Sequence, residues 1–449
     1  EIALKTAELD LAPWATWFDY PVPVQSGKLR ADITLAMQGA DLTALDGEVA
    51  LTHLQALLSP ELKPFMLKQL SSSISFKRRD EGRNTQLTLD QFVFTDAAGH
   101  AEKPANLFIK DVESDAQREM TFRVSYLDIG RWRQLAESMP LSTDLRRQLA
   151  ETAPAGTVEK LKFQGVMTGS ELRQFDAQGN VRDLALRSAD RSRYVQGVSA
   201  KFDINQSAGK VTLNTGKSIL ASPNILPVNE VPLEQLTGQI NWTKTDDVLA
   251  VKVKGLQLRN ADLVAEVNGG WSGSLSPSAS DEAKAGTVDM KIVFDEAKTE
   301  SGWKYIPLSA SPDISKWVRG AISGGTMSDF RIEMSGRVWD MPYGTPEPGA
   351  APESSEARGA PGRFYLGFKT QDVNVKYAEG YPVLEKLSAT FDMNQNQIQV
   401  AANKGRINGM RFSNIRATMA DVSAFENHLV VSGQAEGPTA SAVSFLKDT

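Results

Sequence analysis

The chain has 449 residues, 41% hydrophobic and 23% charged, with a formal charge of -6 from 49 basic and 55 acidic side chains interspersed along it. Such a chain folds, exceeds one ordinary hydrophobic core, corresponds to about three domains by length, and carries no basic stripe for nucleic acid. The absence of cysteine rules out disulfides, thiol catalysis and thiolate metal sites, and no apolar run reaches the ~18 residues of a membrane-spanning helix.

The chain opens EIALKTAELDL, without methionine and already in a strand pattern, and reads as a piece of a longer protein. ELDLAPWATW (Glu8 to Trp17) brings a tryptophan-bearing amphipathic turn ahead of the glycine-led strand GKLRADITLAMQG, and GEVALTHL starts at Gly47. Pro60 to Leu70 is a candidate helix, followed by the hairpin LKQLSSSISFKRRDEGRNTQLTL. RWRQLAESMPLSTDLRRQLAETAP, Arg131 to Pro154, predicts two short amphipathic helices broken at Pro140, with Ser142 or Thr143 capping the second. The strands GTVEKLKFQG and GNVRDLAL lead to VQGVSAKFDINQSAGKVTL. There Val198, Ala200, Phe202 and Ile204 alternate with Ser199, Lys201, Asp203 and Asn205, and Asn205 to Gly209 predicts the turn. QINWT, LAVKVKG and TVDMKIVF keep the period of two, and Trp271 to Gly286 between them reads as a mobile loop. SPDISKWVRGAI, Ser311 to Ile322, is a helix with proline placed at its start. GTMSDFRIEMSG follows, then residues 342–361, rich in Pro, Ala, Gly, Ser and Glu and expected to be a flexible loop. GRFYLGF and the hairpin LEKLSATFDMNQNQIQV come next.

Three passages repeat one order: tryptophan helix, strand led by Gly27, Gly156 or Gly325, second strand starting at Gly47, Gly179 or Gly362, then a hairpin holding Phe76, Phe202 or Phe391. This predicts a mainly β protein, an elongated and curled antiparallel sheet built from repeated units with a few short amphipathic helices. The predicted divisions are 1–26 as the end of a preceding unit, then repeat units at 27–150, 151–310 and 311–449.

Catalytic chemistry is hard to place. His53, His100 and His428 are isolated, and no nucleophile elbow, zinc or phosphate-loop motif occurs. SGGTMSDF leads into a strand rather than a helix, so it reads as a turn. The carboxylates Asp246 with Asp247 and Asp295 with Glu296 read as solvated strand ends, and no cofactor or metal is implied. A one-sided sheet must still bury its apolar face against another sheet, helices, itself or an apolar molecule. The predicted helices are too few, which leaves stacked sandwiches, a closed solenoid, or a curled sheet whose hollow holds ligand.

The third unit resembles the YhdP family of AsmA-like, TamB-related proteins of Gram-negative bacteria. The likeness is carried by the helix ending in WVRG, the strand with Phe330 and Gly336, Met341-Pro342-Tyr343, the bend at Tyr377, Gly380, Tyr381 and Pro382, and the strand LSATF. It departs in the long Pro-rich loop and in Tyr381, where the family pattern has tryptophan. The resemblance implies a non-enzymatic phospholipid carrier, a hydrophobic β-groove across the periplasm taking acyl chains from inner toward outer membrane. It also implies an inner-membrane anchor through an N-terminal helix outside this chain, partners among outer-membrane or envelope components, and no catalytic residues. The candidate groove lining is Val198 and Phe202, Val211 and Leu213, Ile240 and Trp242, Val251 and Val253, and Ile292 and Phe294. It continues with Ile332 and Met334, Leu366 and Phe368, Val373 and Val375, and Phe391, Ile398 and Val400. The competing expectation is a β-rich envelope scaffold or adhesin whose sheets pack on each other.

Overall fold

The computed structural model describes residues 1–14, 23–39, 41–169, 171–221, 223, 225–308, 312–341, 343, 362–422, 424 and 428–448. Of the expected flexible loop 342–361 only Tyr343 falls among them, and Trp17 and Pro342 of the sequence motifs lie outside. The chain divides into two compact units, Glu1–Val211 and Thr212–Thr449.

Period-two patterning gives the first unit ten strands: β1 (Ile2–Asp10), β2 (Val24–Gln38), β3 (Asp41–Ala56), β4 (Phe65–Arg79), β5 (Asn84–Asp96), β6 (Ala105–Glu113), β7 (Arg118–Asp128), β8 (Ala155–Thr168), β9 (Glu171–Arg187) and β10 (Tyr194–Asn205). Each pairs antiparallel with the next, a meander without crossovers. After β10 the side chain of Asn205 accepts from the backbone N–H groups of Ser207 (2.9 Å) and Ala208 (2.7 Å), closing the expected turn into β11 (Ala208–Thr215), which spans the division between units.

The second unit starts with the hairpin β12 (Ser218–Ala221) and β13 (Glu230–Leu233). Its meander comprises β14 (Gln235–Thr245), β15 (Val248–Arg259), β16 (Leu263–Ser274), β17 (Thr287–Lys298), the two-residue β18 (Ile322–Ser323), β19 (Thr326–Arg337), β20 (Arg363–Val375), β21 (Leu384–Asn394), β22 (Gln397–Ile407), β23 (Met410–Met419) and β24 (Leu429–Glu436). β17 pairs with β19, β20 takes both β18 and β19, and the remaining neighbours pair antiparallel in order.

Bulges recur along these ladders. The register shifts where Gln91, Lys160, Asp183, Asp329, Asp372, Lys386 and Asn414 take left-handed φ near +50°. A bulge removes a ladder partner from an N–H, and a polar side chain on the adjacent strand replaces it. Asn106 accepts from Gln91 (3.1 Å), Ser199 from Asp183 (3.1 Å), Asn268 from Gly255 (2.6 Å) and Asn374 from Lys386 (3.0 Å).

The helices are short: α1 (Leu11–Trp14), α2 (Ile129–Ala136), α3 (Thr143–Thr152), α4 (Asp281–Ala285), α5 (Pro312–Ala321) and α6 (Thr439–Asp448). α2 and α3 break around Pro140 as expected, and the Ser142 side chain accepts from the N–H of Leu145 to cap α3. α5 begins at Pro312, also as expected.

Two expectations fail locally. Pro60 to Leu70 is not a helix, because β3 runs on to Ala56 and recruits Phe65, Met66 and Leu67 into β4, so ladder pairing overrides local propensity. The segment after Trp271 is not a free loop. Ser280 caps α4, and the Trp271 indole N–H donates to the carbonyl of Ala285 (2.7 Å).

Compact cores sit toward one end of the strands. In the first unit Leu67, Phe92 and Phe94 pack under Trp132 and Leu135 of α2, with the Trp132 ring edge-on to Phe94 at 5.7 Å. In the second, Leu263, Ala265 and Ala297 pack with Leu258, Phe294 and Tyr305.

Candidate functional site

Beside these cores, direct cross-strand pairing strings the apolar residues into rows, in which Ile109, Phe122 and Phe294 also pack against a core. In the first unit Ile2, Leu35, Leu45, Phe76, Leu87, Ile109, Phe122, Phe163, Ala177 and Ile204 lie opposite one another across all ten strands. In the second, Leu256, Val267, Ile292, Ile332, Leu366, Met393, Ile398, Met419 and Leu429 do the same from β15 to β24. Not one member of either row is buried. The edge residues Ile2 and Leu429 are exposed, and the rest are half-buried.

Two strand positions along, a parallel row in the second unit carries a ladder of phenyl rings. Phe294 stacks on Phe330 at 3.9 Å between centroids, Phe330 on Phe368 at 6.2 Å and Phe368 on Phe391 at 4.8 Å, all within 18° of parallel. Phe391 pairs with Val400, Val400 with Ala417 and Ala417 with Val431. On the other side lie Ile240, Val253, Gly269, Met290, Met334 and Phe364, and beyond them Trp242, Val251, Trp271 and Val288. The result is an apolar surface several residues wide with no charged side chain in its rows.

Most of the sequence candidates fall on these rows. Ile240, Trp242, Val251, Val253, Ile292, Phe294, Ile332, Met334, Leu366, Phe368, Phe391, Ile398 and Val400 share the face described and are half-buried. Val375 pairs with Leu384 at the end of β20, Val211 lies half-buried on β11, and in the first unit Val198 and Phe202 pair with Leu184 and Gly179. Leu213 and Val373 are buried, Val373 with 1% of its surface exposed, and so belong to packed protein interior. The candidate lining omits Phe330, Met393, Trp271 and the first-unit row, of which the alternation placed Ile204 on an apolar face. The alternation was present in KLRADITLAM and DFRIEMSG, but which alternating residues stand opposite each other depends on register.

The opposite faces are charged. Glu333 gathers Arg331, Arg363 (3.3 Å) and Lys291 (3.9 Å), and the Tyr365 hydroxyl donates to Asp392 (2.6 Å). Ions also border the apolar side at its edge in the first unit, where Arg118 forks onto Asp111 at 2.8 and 2.6 Å.

The helical ends carry the buried polar groups. Burial would raise the Asp262 carboxyl, but hydrogen bonds from Lys304 (2.8 Å), Ser301 (2.9 Å) and Tyr305 (2.9 Å) outweigh it and hold the carboxyl below the usual range. Burial, reinforced by the Asp262 carboxylate, pushes the Tyr305 hydroxyl up to about 12. Glu102 is raised by burial even though it accepts from the N–H of Asp128 (3.0 Å) and lies 3.5 Å from Arg131. These groups fasten helices, Asp262 the turn after β17 and Glu102 the start of α2. His53, His100 and His428 are exposed and far apart in sequence, and the described residues hold no group of three or more potential metal ligands.

The fold and these faces define a mainly β protein of antiparallel meanders, each polar on one face and apolar on the other, with short helices at the strand ends. The family model described as YhdP protein matches residues 1–449, and the chain belongs to that family. It is 21% identical over 464 residues to the intermembrane phospholipid transporter YhdP of Escherichia coli (strain K12), covering 99% of this chain and 34% of that protein. The chain thus spans about a third of the length of the curated relative it matches. No solved structure matches.

Proposed function

We propose that the apolar face is a lipid-carrying surface and the chain a periplasmic segment of a non-enzymatic phospholipid transporter of the Gram-negative envelope. One observation carries the reading: the two main rows of directly paired apolar side chains run from β1 to β10 and from β15 to β24, yet no member of either is buried. In a self-packed sandwich, the inner-face residues of such rows would be buried. The relative's printed role, intermembrane phospholipid transport, supports the same ligand class.

The physics of the task fits this surface. Exposing an acyl chain of about sixteen carbons to water costs roughly 12 kcal/mol at ~0.8 kcal/mol per methylene, so unaided crossing of an aqueous gap is slow. On a row of Ile, Leu, Phe and Met side chains a chain exchanges one set of apolar contacts for an equivalent set at each step, with its head group in water. The lining is the half-buried set, including Ile292, Ile332, Leu366, Phe368, Phe391 and Ile398. The wall is assembled from units 27–150, 151–310 and 311–449, its anchor at the inner membrane lies outside this chain, and flow runs toward the outer membrane.

Lipid-resolved native mass spectrometry tests the reading. The 449-residue chain is expected to retain phospholipid, and Ile332→Glu and Phe391→Asp are expected to keep the circular dichroism of the parent while losing the lipid. Absence of lipid from the parent, together with unfolding of both variants, would favour the scaffold or adhesin instead.

A further inference from the structure

The apolar column of β9 and β10 ends in a charged cleft. Val181, Leu184 and Leu186 on β9 stand opposite Ala200, Val198 and Val195 on β10, with a bulge at Asp183 and another at Gly197; Val181 and Ala200 are buried, so the accessible part of the column is Leu184, Val198, Leu186 and Val195. Leu186 and Val195 then form one wall of a cleft completed by Ala153 at the end of α3, Arg187, Arg191, Tyr194 and Gln196. The charges in this turn are unevenly spent. Arg187 donates to the carbonyls of Glu151 (3.1 Å) and Ala150 (3.3 Å), closing the C-terminal end of α3. The carboxylate of Asp190 is tied to both hydroxyls of Ser188 and Ser192 and to the N–H of Ser192 (3.1 Å). Arg191, held at φ +59° with its N–H on the carbonyl of Ser188, keeps a side chain with no hydrogen-bond or ion-pair partner among the described residues.

We propose that this cleft is a phosphodiester subsite for the head group of a phospholipid whose acyl chains lie on the Val198–Leu184 column. The chemistry is complementary on both counts. An uncommitted guanidinium presents a planar fork that matches a phosphate, and the apolar wall beside it takes the first methylenes of the chains. The inference rests on the lipid-carrying reading of the apolar face and adds a fixed station for the head group in the first unit.

Because the chain has no cysteine, single labels are clean. An environment-sensitive dye is placed at Gln196→Cys in the cleft and, in a separate sample, at Ala417→Cys on the apolar row of the second unit. Each labelled full chain is titrated with dihexanoyl phosphatidylglycerol, with dihexanoylglycerol and with glycerol phosphate. The phospholipid is expected to move both dyes, and Arg191→Glu to weaken the cleft response about tenfold, Arg191→Lys less, with the Ala417 response and melting temperature unchanged. The head-group subsite is overturned if Arg191→Glu leaves the cleft titration unchanged, or if dihexanoylglycerol titrates it as tightly. Equal binding of glycerol phosphate would make it a free-phosphate site and overturn the lipid assignment. If neither dye responds to phospholipid, the lipid-carrying reading itself falls.

Discussion

Asp262 illustrates how single polar residues hold this protein's helical ends in place. Its carboxylate is the common acceptor for Ser301, Lys304 and Tyr305, three residues of one helical turn after β17, while Asn260 two positions earlier donates to the Tyr305 hydroxyl (2.8 Å). Asp262→Asn keeps the shape but removes the charge that all three donors address, and is expected to cost about 2 kcal/mol, read as a lowered melting temperature at pH 7. The pH dependence has two signs. Asp262 titrates below its ordinary 3.8 in the folded protein, so its contribution is present above pH 3.8 and is lost as pH falls through the depressed value. Tyr305 moves from 10.0 up to about 12, so its contribution is complete below pH 10 and is lost as pH rises toward 12. Melting curves of parent and Asp262→Asn from pH 2 to 12 are expected to differ least at the acid end. The cluster was invisible beforehand because its members are separated by about forty positions, and only the pairing of β16 with β17 brings them together.

At the scale of elements, the bulges and a few glycines set how the strands meet. Gly47, flagged in the sequence only as a repeated strand opener, lies inside β3 at φ +144°, where an added Cβ would stand 2.2 Å from the carbonyl oxygen of Asp32 and 2.7 Å from Cα of Ile33. Gly47→Ala therefore separates β2 from β3 and is expected to cost about 2–4 kcal/mol by denaturant titration. The bulge clamps predict a smaller effect. Asn268→Ala strips the acceptor from the N–H of Gly255 in β15, a loss of about 1–2 kcal/mol, with amide exchange at Gly255 accelerating more than at Val251. Strand existence was readable because alternation is written into KFDIN, TVDMKIVF and DFRIEMSG. The bulges were not, since Gln91, Asp183 and Asp372 are ordinary polar residues that take φ near +50° only because their neighbours' side chains satisfy the freed N–H. Pro60 to Leu70 shows the opposite error, a segment that looked helical in isolation and became strand once β3 offered a ladder.

At the scale of the whole chain, the unusual property is apolar surface left accessible in a folded protein. A dye such as anilinonaphthalene sulfonate is expected to bind the native chain strongly, without the loss of near-ultraviolet dichroism that marks a molten state, and phospholipid is expected to displace it. A ligand that binds only the folded state also stabilises it, so at one hundred times its dissociation constant phospholipid should add about 2.7 kcal/mol to the unfolding free energy, seen as a raised melting temperature. A sealed sandwich would show neither effect.

The sequence by itself determined that the protein is mainly β and antiparallel with short helices at α2, α3 and α5, because period-two alternation, glycine openers, helix caps and proline breaks are local signals. It also determined the YhdP family, since the motifs around WVRG and LSATF are contiguous. Only the tertiary structure decided which alternating residues share a row. The same pattern placed Val373 and Leu213 in packed interior and left Ile332 and Phe391 half-open. Burial depends on what lies above a side chain, and a strand's own residues specify only which side it faces.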